Sequence, residues 1–235
     1  MIPGDALQRQ ESTSTLSPGT PSRVIAYIDG FNLYFGLRAK GWERFRWLDV
    51  VALVEFFIRP PQVLSDVRYF TAGTTHPPAR YRKHTTYLNA LRRARGIEAI
   101  EGKVEPRQME CPNCDHRWKR HQEKQSDVNI AMMMMRDAYD GAMDEAFVVS
   151  GDSDLVPVVK HLVDDRSIPV TLIKPPRRHS DELEEVASRS LHIIASRLGQ
   201  AQLPNPIRYI TASGKEREIF RPREWDPVPP DVGES

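Results

Sequence analysis

Cysteine is nearly absent: only Cys111 and Cys114 occur in 235 residues, spaced C-x-x-C. That scarcity excludes a secreted disulfide framework. No uninterrupted apolar run approaches the roughly 18 residues of a membrane helix. Met1 to Ser22 has no apolar block and does not read as a secretory signal. A soluble, cytoplasmic protein with no membrane partner is expected. Neither charge sign dominates, since 33 Lys and Arg face 32 Asp and Glu for a net charge of +1. A histone-like or acidic-tail protein is thereby excluded, while local charge stays open.

What is present fits one domain with tails, because domains usually run roughly 100 to 200 residues. Residues 1–22, rich in Ser, Thr, Pro and Gly, are expected to form a disordered tail. Residues 198–235, with prolines from Pro204 to Pro230, are expected to form a Pro-rich extended tail. Between them, strand-like and helix-like segments alternate. Apolar runs at Val24–Ile28, Val67–Phe70, Ala146–Val149 and Ile168–Ile173 read as strands. Short strands are also expected at Ile97–Ile100, around Val104 and at His192–Ile194. Helices are expected over Val50–Ile58, over Ala79–Arg95 before Gly96, after Ser126, after Ser153 and after Ser180. The alternation implies a three-layer α/β/α domain over 23–197 with a mainly parallel sheet. A C-x-x-C insertion is placed near 108–122.

Four carboxylates fall where such a fold builds sites, beyond the carboxyl ends of strands. Asp29 follows the first strand, where Asp29-Gly30 reads as a turn. Asp152 and Asp154 follow the strand Ala146–Val149, and Asp127 lies in the first turn of the helix starting at Ser126. Each alone reads as a turn former or cap. Together, converging carboxylates repel unless a cation neutralises them, and all-oxygen ligands suit Mg²⁺ or Mn²⁺. Asn32 offers an amide to a bound water or a phosphate oxygen. Ser150 and Ser153 bring hydroxyls to the same edge as candidates to bind substrate, with capping as their plain role. The loop lacks the Gly and distal Glu of an EF-hand.

Tyr27-Ile28-Asp29-Gly30-Phe31-Asn32-Leu33-Tyr34, Glu123-Lys124-x-x-Asp127-Val128 and Val149-Ser150-Gly151-Asp152-Ser153-Asp154-Leu155 resemble the NYN domain. The nearest group is the LabA-like family of the PIN-like nuclease superfamily, and the resemblance spans Arg23 to Arg197. It implies that Asp29, Asp127, Asp152 and Asp154 bind divalent metal and support hydrolysis of RNA phosphodiester bonds. One or two ions held there would acidify a water and neutralise charge on the phosphate. The resemblance implies the same three-layer fold.

Charge is segregated along the chain. Residues 77–124 carry a net +6 and residues 125–165 a net −7. A basic region beside an acidic pocket suits phosphate-backbone cleavage, so Arg80, Lys83 and Lys124 are candidates to hold single-stranded RNA, and a solvated helix face is the plainer alternative. Tyr34, Phe35, Tyr81 and Trp118 are candidates for base stacking or for packing. Cys111-Pro112-Asn113-Cys114 looks like half of a zinc knuckle, with His121, His116 or His84 as further ligands. A homodimer joining two C-x-x-C units is a second route, and free thiols on a hairpin a third. Met132 to Met135 reads as packing. Apart from a nuclease, the pattern allows a non-catalytic RNA- or protein-binding regulator. A haloacid-type phosphatase is disfavoured, because its D-x-D belongs at the first strand.

Overall fold

The run from Val24 to Asp29 is buried throughout, as the central strand of a parallel sheet must be. The computed structural model describes residues 20–72, 78–114 and 116–226, with only the backbone for 119–123. Here β1 (Ser22–Asp29) pairs in parallel with β2 (Gln62–Thr71) on one side and β6 (Glu145–Val149) on the other. With β3 (Ala99–Glu101), β7 (Val170–Lys174) and β8 (Arg189–His192), they form a six-stranded sheet in the order β3-β2-β1-β6-β7-β8. Every pairing in this sheet is parallel. The expected α/β architecture with a mainly parallel sheet is therefore what forms. Strand order reverses between β1 and β6, which opens a crevice at their carboxyl ends.

Period-2 alternation divides two cores across the sheet. Val24, Ala26 and Ile28 of β1 face one core, with α1 (Gly30–Ala39), α2 (Val50–Glu55), α3 (Pro78–Arg95) and α7 (Ala195–Gln200). Ile25 and Tyr27 face the other, with α4 (Ser126–Tyr139), α5 (Val156–Lys160) and α6 (Asp181–Val186). Met134 is buried there and Met132 is 67% exposed, so the Met run presents only part of itself to the core. Asp49 caps α2 by accepting from the Val51 and Ala52 N–H groups and pairs with Arg95 at 2.6 Å. Gly96, at φ +70°, ends α3 as its position predicts.

Several elements differ from expectation. Asp29-Gly30 starts α1 rather than a plain turn. Ser126 is the first residue of α4, and Gln125 occupies its cap position with φ 79° and no side-chain cap. Ser153 likewise lies inside a 3₁₀ turn (Ser153–Leu155) capped by Asp152. Outside the sheet, β4 (Lys103–Glu110) and β5 (Arg117–Lys124) form a two-stranded antiparallel arm with the cysteines in its connection. The expected N-terminal tail lies outside the described residues up to 19, and Ser22 already pairs with Gln62.

The largest correction concerns the expected C-terminal tail. Residues 198–226 are built into the fold, through α7, the hairpin β9 (Ile207–Ile210)/β10 (Glu216–Ile219) and a 3₁₀ turn at Arg223–Trp225. Prolines signalled extension, but Leu203, Ile207 and Trp225 are widely spaced anchors in the first core. Trp225 packs on Trp47 and Tyr87 with ring centroids 6.4 and 6.2 Å away. The Trp47 indole N–H donates to the Pro204 carbonyl at 3.0 Å. Trp225→Ala is expected to cost about 3–5 kcal/mol of stability in chemical denaturation. A free tail would show no loss.

Candidate functional site

The site grows from the ends of β1 and β6. Asp29, the last residue of β1, caps α1: its Oδ1 accepts from the Asn32 N–H at 2.8 Å. Its Oδ2 accepts from the Ser150 hydroxyl at 3.0 Å. That hydroxyl oxygen also accepts from the Asp152 N–H at 3.2 Å. The Asn32 side-chain oxygen accepts from the Gly151 N–H at 3.1 Å, tying α1 to the turn after β6. Asp152 Oδ1 then accepts from the Asp154 N–H at 3.1 Å. Asp29 is thus held by one local contact and one from the neighbouring strand end, and Asp152 by the turn that it caps.

Three of the four predicted acids converge. Asp29, Asp127 and Asp152 each offer a carboxylate oxygen, and these oxygens lie within 4.8 Å of one another. Asp29 is 4% exposed, and the other two are half-buried. Asp154 is not in this group and its residue is exposed, because the capped turn at Asp152 directs the next acid away. The donor set itself fits a hard divalent cation. Carboxylates this close repel, and an oxygen-seeking ion relieves the repulsion.

Close packing fixes the surroundings. A methyl group on Gly30 would lie 2.5 Å from the Tyr69 ring and hydroxyl, so only glycine lets α1 start there. Burial, reinforced by the Asp29 charge, raises the Tyr69 phenol well above its ordinary value and keeps it protonated. A hollow of about 480 Å³ opens beside the acids, with Asn32, Asp152, Ser153, Arg178, His179 and Ser180 among its lining.

The other predicted residues divide. Asn32 and Ser153 line the hollow. Asn32 engages Gly151 with its oxygen, so its amide N–H groups are what it presents to a ligand. Ser150, assigned to substrate, is 0% exposed and instead positions Asp29. Arg80, Lys83 and Lys124 do not line the hollow. Lys83 pairs with Glu224 and Lys124 with Glu105, both at 2.7 Å. Tyr34 lies under Arg46, whose guanidinium is 4.6 Å from its ring. At the tip of the arm, the Cys111 N–H donates to the His116 carbonyl at 2.9 Å. Hydrogen bonding, first from the Asn113 backbone and then from Cys114, lowers the Cys111 thiol pKa. The His121 side chain lies outside the described residues. Arg178 and His179, which sequence reading passed over, reach the hollow because they follow β7, at the same sheet edge.

Residues 23–194 match the family model described as the NYN domain. The chain belongs to the NYN domain family. Membership places it in the PIN-like nuclease superfamily. The chain is also similar to a 6-hydroxy-3-succinoylpyridine 3-monooxygenase of Pseudomonas putida, 28% identical over 246 residues, covering 87% of this chain and 76% of that protein. A solved structure of a Vibrio parahaemolyticus protein of unknown function matches at TM-score 0.49 and 18% identity, covering 77% of this chain and 98% of that one. Among the described residues no helix is long and apolar enough to cross a membrane.

Because Ser150 orients the deepest acid, Ser150→Ala is expected to weaken Mn²⁺ binding by about 10–100-fold while leaving the fold intact. Isothermal titration calorimetry reads the affinity, and an unchanged value would remove Ser150 from the positioning role.

Proposed function

We propose that this NYN protein, a LabA-like member, is a divalent-metal-dependent ribonuclease hydrolysing single-stranded RNA. The carrying observation is the convergence of Asp29, Asp127 and Asp152 at the reversal of strand order. These three carboxylates would hold Mg²⁺ or Mn²⁺. When bound, the ion supplies an acidified water and neutralises charge on the phosphate. The protein's own part is geometric. Ser150 and the Asn32 N–H hold the Asp29 carboxylate in place, and the hollow admits a charged phosphodiester between polar walls. Preorganisation of this kind avoids reorganisation during reaction. Asp154, outside the cluster, is assigned no ligand role.

A non-catalytic RNA-binding regulator on the same scaffold is the alternative, and the same experiment separates the two. Asp152→Asn is expected to lower Mn²⁺-dependent cleavage of an end-labelled single-stranded RNA by about 100-fold or more, while Asp154→Asn retains most of it. Binding without metal-dependent cuts in the wild-type protein would favour the regulator. Equal loss in both variants would return Asp154 to the site.

The arm carries a second proposal, that Cys111 and Cys114 with His121 hold zinc. C-x-x-C at a hairpin tip is a common zinc half-site. Metal analysis of the purified protein is expected to give one zinc per chain, lost in Cys114→Ser. One zinc per two chains, with dimerisation, would instead join two tips, and zinc unchanged in Cys114→Ser would refute the site.

A further inference from the structure

The loop from Pro175 to Ser180 is clamped against α1 and against the turn after β6 that carries Asp152. A methyl group on Gly36 of α1 would lie 2.6 Å from the Pro176 carbonyl oxygen. One on Gly151 would lie 2.7 Å from the Arg178 carbonyl carbon and 2.8 Å from the His179 nitrogen. Two glycines from separate segments therefore admit this backbone at a distance no side chain permits. The Arg178 N–H donates to the Pro175 carbonyl at 3.2 Å, Arg177 adopts φ 56°, and the Ser180 hydroxyl caps α6 at the Leu183 N–H, 3.2 Å away. The loop is fixed at both ends and in its middle.

What it presents is cationic. Arg177, Arg178 and His179 are exposed, and none forms an ion pair among the described residues, whereas the neighbouring Lys174 is taken by Glu184 at 2.6 Å. Arg178 and His179 line the hollow beside Asp152 and also a second hollow of about 310 Å³. That second hollow is lined by Lys174, Pro175, Pro176, His192 and Ile193 besides the Arg-Arg-His segment. Arg178 and His179 are thus the ridge between an acidic hollow and one with partly apolar walls.

We infer that this ridge is a nucleotide subsite, with Arg178 and His179 gripping the phosphate next to the scissile one and the second hollow receiving the adjoining base against Pro176 and His192. This rests on the ribonuclease reading for its substrate. A guanidinium fork matches a phosphate's paired oxygens, and a rigid loop loses little freedom on binding. Planar side chains with apolar walls suit base stacking, which tolerates any sequence. Asp181 and Glu182 also line the acidic hollow, so within it the cationic Arg178 side is where a phosphate is favoured.

The test is binding of a fluorescent single-stranded RNA octamer to the full-length protein in chelator, read by anisotropy, beside a cleavage assay in Mn²⁺. Arg178→Gln is expected to weaken binding about tenfold and to reduce the salt slope by about one. His192→Ala is expected to weaken binding several-fold, an effect that disappears on an abasic oligonucleotide while the Arg178→Gln loss persists. Thermal melts matching wild type establish that both variants fold, as exposed positions should allow. Arg178→Gln binding RNA as wild type does would overturn the subsite while leaving the nuclease reading standing. Weakened binding in a protein that never cleaves would keep the subsite and sink the hydrolytic reading.

Discussion

The Asp29 carboxylate is the group around which the working edge is arranged. It terminates a strand buried from Val24 onward, where an unpartnered polar group would be costly, and donors meet it there. Asn32 reaches it from the helix that it caps, and Ser150 from the neighbouring strand end. Those two donors come from opposite sides of the strand-order reversal. One carboxylate thereby joins the two halves of the sheet at the point where a crevice must open. Its neighbours Asp127 and Asp152 then inherit a fixed reference. Asp152 approaches it because β1 and β6 end side by side, and Asp127 because α4 packs across the same edge.

Glycine does complementary work at the same edge. Gly30, Gly36 and Gly151 are each surrounded so closely that a methyl group would collide with ring or backbone atoms. At Gly30 the requirement is set by Tyr69, at Gly36 and Gly151 by the loop after β7. Three segments distant in sequence are brought into backbone contact by omitting side chains. Asp152 and the Arg178-His179 backbone therefore stand side by side along one hollow.

Much of this was legible in the sequence, and the parts that were not have definite causes. Val24–Ile28 and Ala146–Val149 are apolar without alternation, the mark of strands covered on both faces. Gly96 and Ser180 sit where end signals belong. By contrast, α1 opens with Gly and aromatic residues of modest helix propensity, and Asp29-Gly30 reads as a turn until the carboxylate is seen capping Asn32. The strand Arg117–Lys124 belongs to an arm outside the sheet, so no period-2 pattern announced it. Prolines between 203 and 226 masked three apolar anchors. Among the acids, spacing alone could not separate Asp152 from Asp154. The separation comes from a cap: once Asp152 accepts from the Asp154 N–H, the chain turns and the second side chain leaves the cluster.

Asp127 shows how far a distant anchor can set a site. It occupies the first turn of α4, where the buried positions are Ser126, Ile130, Met134, Asp137 and Ala138. Residues 127, 130, 134 and 137 follow the three-and-four spacing of a single helix face. Whatever holds that face to the sheet also aims Asp127. Packing of Ile130 and Met134 is one hold, but apolar contacts tolerate some rotation. A polar hold at the far end does not: buried Asp137 accepts from the Tyr27 hydroxyl at 3.0 Å and faces Arg68 at 3.4 Å. Tyr27 and Arg68 lie on β1 and β2, so the helix is locked against the same strand that ends in Asp29. A rotation of one residue, about 100°, would carry Asp127 away from Asp29 and break the Asp137 contacts together. The geometry of the acid cluster and the burial of a hydrogen-bonded carboxylate three turns away are therefore one constraint.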